Sequence, residues 1–114
     1  MDHPAGPLGL VALGDRLLTE AAAARSGRSG QTVYGDRDHH LRQTVIALRA
    51  GEALSDHESP GEATLHVLVG HVRLGDELTM IDCHAGDLVA IPPRRHRLDA
   101  VTDAVVLLTV AVAG

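Results

Sequence analysis

The stretch that decides the fold is Gly51–Gly70, GEALSDHESPGEATLHVLVG. It opens on a glycine, places His57 after a five-residue gap and closes on a second glycine after an apolar, β-rich run. Ser59-Pro60-Gly61 breaks it into two short extended segments, and a proline followed by glycine is a turn by its backbone chemistry. The same grammar continues outward in both directions. Leu- and Val-rich segments recur at intervals of about ten residues between Gly, Asp and Pro signals, the pattern of an antiparallel sandwich or barrel.

On that grammar, strands are expected at Thr32–Tyr34, Leu41–Leu48, Leu54–His57, Ala63–Val69, His71–Leu74, Glu77–Ile81, Leu88–Ile91, Arg97–Ala100 and Ala104–Val112. Before them, GDRLLTEAAAARSG predicts one short helix, with Asp15 as its cap and Leu17, Leu18, Ala21 and Ala24 near one face. The expected organisation is an arm and helix over 1–30 and a β-domain over 31–114, together one domain. No strands alternate with helices, so a parallel nucleotide-binding sheet is excluded.

Composition narrows the function. The 114 residues fit a single core. Tyr34 is the one aromatic residue, so aliphatic side chains must fill the interior and base stacking has almost nothing to work with. Ten Lys and Arg against fifteen Asp and Glu give a formal charge of -5, which repels phosphate backbones. Arg94, Arg95 and Arg97 form the one basic cluster, either an anion contact or a charged hairpin tip. No nucleic-acid or membrane partner is expected. The longest apolar run, Ala104–Ala113, is about half of a membrane-spanning helix. The single Cys83 cannot form an internal disulfide and reads as a bystander thiol in a turn, and the cytoplasm is the expected location. There is no GxSxG elbow and no GxxxxGK loop, which argues against a serine hydrolase and a phosphate-binding loop.

Gly51, His57 and Gly70, followed by Gly86, Pro92 and His96 in GDLVAIPPRRHRL, resemble the two motifs of the cupin superfamily, over about Gln43–Val112. The chain is similar to small, single-domain bacterial cupins in which a helix precedes the barrel. The resemblance implies an antiparallel β-barrel or jelly-roll, a homodimer, and a site at the barrel mouth for Fe, Mn, Ni or Zn. The spacing is also chemically sensible, because alternate strand residues point the same way and imidazoles suit these metals.

This chain departs from that pattern. Ser59 stands where the second histidine is expected and Ala63 where the glutamate is expected. Glu62 would serve as a metal ligand only if a bulge or the preceding turn rotated it inward. His57 and His96 are then the principal candidate ligands, with Glu62 third, and Tyr34, Gln43, His57, Ser59 and His96 are the candidate ligand-binding residues. Tyr34, Arg42 and Gln43 are expected near the barrel mouth. His39, His40, His66, His71 and His84 are read as surface or outward-facing.

Three functions follow: a barrel binding a small organic molecule in an aliphatic pocket with His57 and His96 at its polar end; a metal-dependent dioxygenase, isomerase or decarboxylase acting on a small organic acid; or a dimeric, non-catalytic regulatory barrel. In the last, the apolar strand AVVLLTVAV needs a covered edge.

Overall fold

The computed structural model describes residues 6–57, 61–76, 78–92 and 94–112, with the side chains of residues 55–57 outside that description. One helix, α1 (Leu10–Ala23), precedes nine strands: β1 (Arg28–Tyr34), β2 (Leu41–Leu48), β3 (Ala53–His57), β4 (Glu62–Val69), β5 (His71–Gly75), β6 (Met80–His84), β7 (Leu88–Ala90), β8 (His96–Ala100) and β9 (Ala104–Ala111). They form two antiparallel sheets, β1-β2-β9-β4-β7 and β3-β8-β5-β6. The first is hereafter the long sheet and the second the short sheet. The ladders do not close the sheets into a barrel, so the architecture is a jelly-roll sandwich.

The helix begins at Leu10 and its N-cap is Gly9, so Asp15 lies inside it. What sets the start is tertiary packing: Leu10, Leu13, Leu17 and Ala21 recur at helical spacing and rest on Val45, Ala47 and Val105 of the long sheet. Gly14 permits the approach, since a Cβ there would lie 3.2 Å from Val105 Cγ1. The pairing of β1 with β2 extends from Arg28↔Leu48 to Tyr34↔Gln43, four residues earlier than the β-branched run at Thr32 predicts. On the edge of the sheet, β1 is held to the helix by Ser29, whose hydroxyl donates to Glu20 Oε2 at 2.9 Å.

The long sheet is therefore covered on both faces, by α1 outside and by the short sheet inside. Between the sheets, Leu48, Leu65, Val67, Val72, Leu74, Cys83, Leu98, Ala100, Ala104 and Val106 form the main core. The C-terminal strand β9 is the middle of the long sheet, flanked by β2 and β4, so the apolar run has its edges covered within the chain.

Two further expectations are corrected. The strand expected at Glu77–Ile81 lies at Met80–His84 because Asp76 builds a longer turn. Its Oδ1 accepts the amides of Leu78 and Thr79, each at 2.9 Å, so the chain turns back before Met80. Arg94 donates to the other oxygen at 2.7 Å. The Arg94 guanidinium and these backbone amides hold the Asp76 carboxyl down at about 2. Cys83 is in β6 and buried at 2% exposure, with its thiol pushed up by burial.

Candidate functional site

Strand phase decides which side chains enter the space between the sheets. On β4, Leu65 and Val67 belong to the inter-sheet core, so Ala63 has the inward phase and Glu62 the outward one. On β2, Ile46 and Leu48 pack inward whereas Val45 and Ala47 meet the helix. On β8, His96, Leu98 and Ala100 are buried while Arg97 is exposed.

The interior has a sealed end and an open end. Ala104, Val105 and Val106 are wholly buried, but Leu107–Val110 on the same strand are half-buried. Around the open end, Ile46, Leu54, Val89, Ile91 and Leu108 are partly exposed apolar neighbours of the core. Ile81, which pairs with the inward Leu74, is 46% exposed. At this end the apolar side chains between the sheets are only partly covered.

The backbones of residues 57 and 96 meet at this end. They are direct cross-strand partners in the β3–β8 ladder, after a register shift that follows Leu54↔Leu98. Directly opposed residues of an antiparallel pair lie side by side. His96 is the single buried polar residue among those described, at 3% exposure, and its Nδ1 donates to the Arg94 carbonyl at 2.9 Å. That bond orients the ring and, in the neutral form, leaves Nε2 as the acceptor nitrogen.

The other candidates fall elsewhere. Glu62 is exposed and pairs with Ala111, and the ladder runs without a shift from Glu62↔Ala111 to Val67↔Val106, so there is no bulge to turn it inward. Ser59 lies outside the described residues. Tyr34 and Gln43 are register partners at the other surface of the long sheet, and Gln43 shares the phase of Val45 and Ala47. With Gly6, Leu8, Leu10, Val33 and Leu107 they line a separate cavity of about 390 Å³ beneath the segment before the helix. Gln43 Nε2 donates there to Thr109 Oγ1 at 3.2 Å. The expectation that these residues flank the mouth is thus corrected: the helix claims their face of the sheet.

The basic cluster is tied up by acids on the outside: Arg94 with Asp76 at 2.7 Å and Arg97 with Asp99 at 2.7 Å. His71 and His84, direct partners in the β5–β6 ladder, stack with ring centroids 4.2 Å apart on the outer face of the short sheet. Asp82 accepts from His71 Nε2 at 2.7 Å and from Arg73 Nε at 2.9 Å. Its carboxyl is lowered by Arg73 first and His71 second. Sequence reading missed this cluster, although alternation places Asp82 and His84 on one face.

The described residues do not suit the metal that the motif implies. A transition metal in a protein takes three or more donors. The inward strand position where a carboxylate is expected holds Ala63, and Glu62 is on the wrong face. Among the described residues, no group of three or more His, Cys, Asp or Glu side chains converges on a point.

No protein-family model matches this chain. Over 60 residues it is 37% identical to an uncharacterized 14.5 kDa early protein of human adenovirus B serotype 7, a match covering 53% of this chain and 45% of that protein. The chain thus matches less than half of that curated relative. Among solved structures, an RmlC-like cupin from Desulfovibrio desulfuricans is 27% identical, with a TM-score of 0.65 over 74% of this chain and 81% of that one. Salicylate 1,2-dioxygenase from Pseudaminobacter salicylatoxidans gives a TM-score of 0.73 at 20% identity, over 88% of this chain and 33% of that one, a likeness of fold. Two facing antiparallel sheets in jelly-roll order, together with these neighbours, give the chain the fold of a small cupin domain.

Proposed function

We propose that this cupin binds a small organic molecule in its open aliphatic hollow, with His57 and His96 at the polar end. The observation that carries the reading is the His57↔His96 pairing at the unsealed end of the sandwich, where His96 is buried. A buried imidazole among aliphatic side chains supplies the few orienting polar contacts that small-molecule sites use, while the apolar walls supply most of the contact area. Ser59, two residues beyond His57 in sequence, belongs to the same proposal as a further hydrogen-bonding group. A small organic acid fits best, because an imidazole accepts a proton from the neutral acid or, once charged, pairs with the carboxylate.

The reading is tested by a thermal-shift screen of small organic acids, alcohols and amides against wild type and His96→Ala. Stabilisation by one chemical class, lost in the variant, supports it. Flat melting curves across the whole set at pH 5, 6, 7 and 8 would count against it. The homodimer implied by the family is part of the proposal and is checked by sedimentation at micromolar concentration.

A further inference from the structure

The cavity on the helix side of the long sheet has a construction of its own. In a regular strand consecutive side chains face opposite ways. Val33 and Tyr34 are consecutive, yet both line this cavity, and Val33 packs with the helix-side cluster that includes Leu10 and Leu107. The cause is in the ladder. β1 pairs regularly up to Thr32↔Thr44 and then shifts so that Tyr34 meets Gln43, which leaves Val33 as the extra residue of a bulge. The bulge brings the chain's one aromatic ring to the cavity wall. That ring is held from behind: it stands edge-on to His39, with centroids 5.3 Å apart, and Asp36 Oδ1 lies 2.7 Å from His39 Nδ1.

The row continues across the sheet from Tyr34 to Gln43 and on to Thr109. Gln43 Nε2 donates to Thr109 Oγ1 at 3.2 Å. That bond uses one N–H of an amide that also carries a second N–H and an accepting carbonyl oxygen. The rest of the lining is Gly6, Leu8, Leu10, Val33 and Leu107, so among the described lining residues there is no carboxylate, ammonium, guanidinium or imidazole.

These features select a ligand. At about 390 Å³ the cavity is within the range of small-molecule sites, roughly 300–1,000 Å³. A charged group brought against these walls would lose hydration and meet no opposite charge in return, which is costly. A carboxamide, in contrast, can exchange a donor and an acceptor with the Gln43 side chain while its aliphatic body lies on the leucines.

We propose that this cavity is a second binding site, for a neutral carboxamide with a short aliphatic chain, anchored by Gln43 and walled by Tyr34. It does not depend on residues 57 and 96. Gln43 and Leu107 have the helix-side phase of Val45 and Val105, whereas Ile46 and Leu108 face the short sheet. One polar anchor makes a weak site, read by chemical shift rather than by melting temperature.

The test is NMR titration of full-length protein, labelled at Leu and Val methyls, with hexanamide and, separately, with hexanoate as its charged counterpart. Hexanamide should shift the methyls of Leu8, Leu10, Val33 and Leu107 in a saturable way, and hexanoate should bind there at least about tenfold more weakly. Gln43→Leu, with its fold confirmed by circular dichroism, should weaken hexanamide by about three- to tenfold, the weight of one net hydrogen bond. Methyls that stay still up to the solubility limit of hexanamide overturn the proposal, as does equal binding of hexanoate or undiminished binding by folded Gln43→Leu. If Gln43→Leu does not fold, the wild-type comparison of amide with carboxylate decides alone. The hexanamide shifts should persist in His96→Ala, and their loss in that folded variant would also overturn the proposal. Acid binding is scored on His96, so failure of the site proposed there is not confused with failure of this one.

Discussion

Strand β9 contains two proteins' worth of priorities in eight residues. From Ala104 to Val106 it is sealed between β2 and β4, under α1 on one face and the short sheet on the other. From Leu107 to Val110 the strand is still mostly aliphatic, with Thr109 its one polar residue, but is half-buried. The first half is built for packing and the second leaves apolar surface to be covered by something else. What separates a core from a pocket here is coverage, since Val and Leu serve both ends equally well.

The largest effect that would sharpen this contrast is expected at the sealed end. Leu48 is wholly buried, and Leu48→Ala should cost about 2–5 kcal/mol in denaturant unfolding through lost contacts and an unfilled cavity. Leu108→Ala, at the open end, should cost clearly less, since its side chain is already partly in water and the site can relax. Equal losses would erase the distinction between the two ends.

Next comes His96→Ala. Removing the ring takes away the donor to the Arg94 carbonyl, a bond worth about 0.5–1.5 kcal/mol, and vacates a buried position. Glutamine, which can still donate near that carbonyl, should recover part of the stability and little of the ligand response. If stability and binding returned together, the histidine would be a structural fixture only.

Asp76 offers a pH-dependent check through Arg94, whose carbonyl also holds the His96 ring. Its carboxyl is held at about 2, below the usual 3.8. A lowered carboxyl contributes stability that is present above the ordinary value and lost as the pH falls from about 4 towards 2. Wild type should therefore lose more stability than Asp76→Asn between pH 5 and pH 2. Parallel curves would show that the Asp76 turn and its Arg94 pair do not matter to folding.

The smallest effect is expected on the outer face of the short sheet. Arg73→Ala removes one partner of the solvent-exposed Asp82, and exposed ion pairs contribute little. Its melting temperature should stay close to wild type in moderate salt, and ligand response should be unchanged. A loss of binding in this variant would mean that the two faces of the sheet communicate.

Much of the fold was readable because it is written locally. The turns at Gly51, Gly61, Gly70 and Gly86 bracket the strands, and Gly70 and Gly86 have φ of +87° and +94°, values that favour glycine. The errors arose where tertiary contact outweighs local signal: the early helix start, set by packing on Val45 and Val105, and the Asp76 turn, where Leu78 and Thr79 look like strand residues. Residues 57 and 96, which the glycine frames single out, are register partners in the β3–β8 ladder. The side of the sheet taken by Gln43 was not legible, because Thr44, Ile46 and Leu48 alternate with Val45 and Ala47, and both sets are suited to burial. A strand covered on two faces carries no polar phase to orient it. Only the helix contacts reveal that Gln43 and Tyr34 belong outside.

The central claim is that residues 57 and 96 form the polar end of a hollow that takes a small molecule. It is tested most directly by NMR of protein labelled at histidine rings and Ile, Leu and Val methyls, titrated with the strongest hit of the thermal screen. The account predicts shifts confined to His57, His96 and the open-end methyls of Ile46, Ile81, Ile91 and Leu108. Shifts centred instead on Val33, Leu8 and Leu10 beneath Tyr34, with the two rings silent, would contradict it.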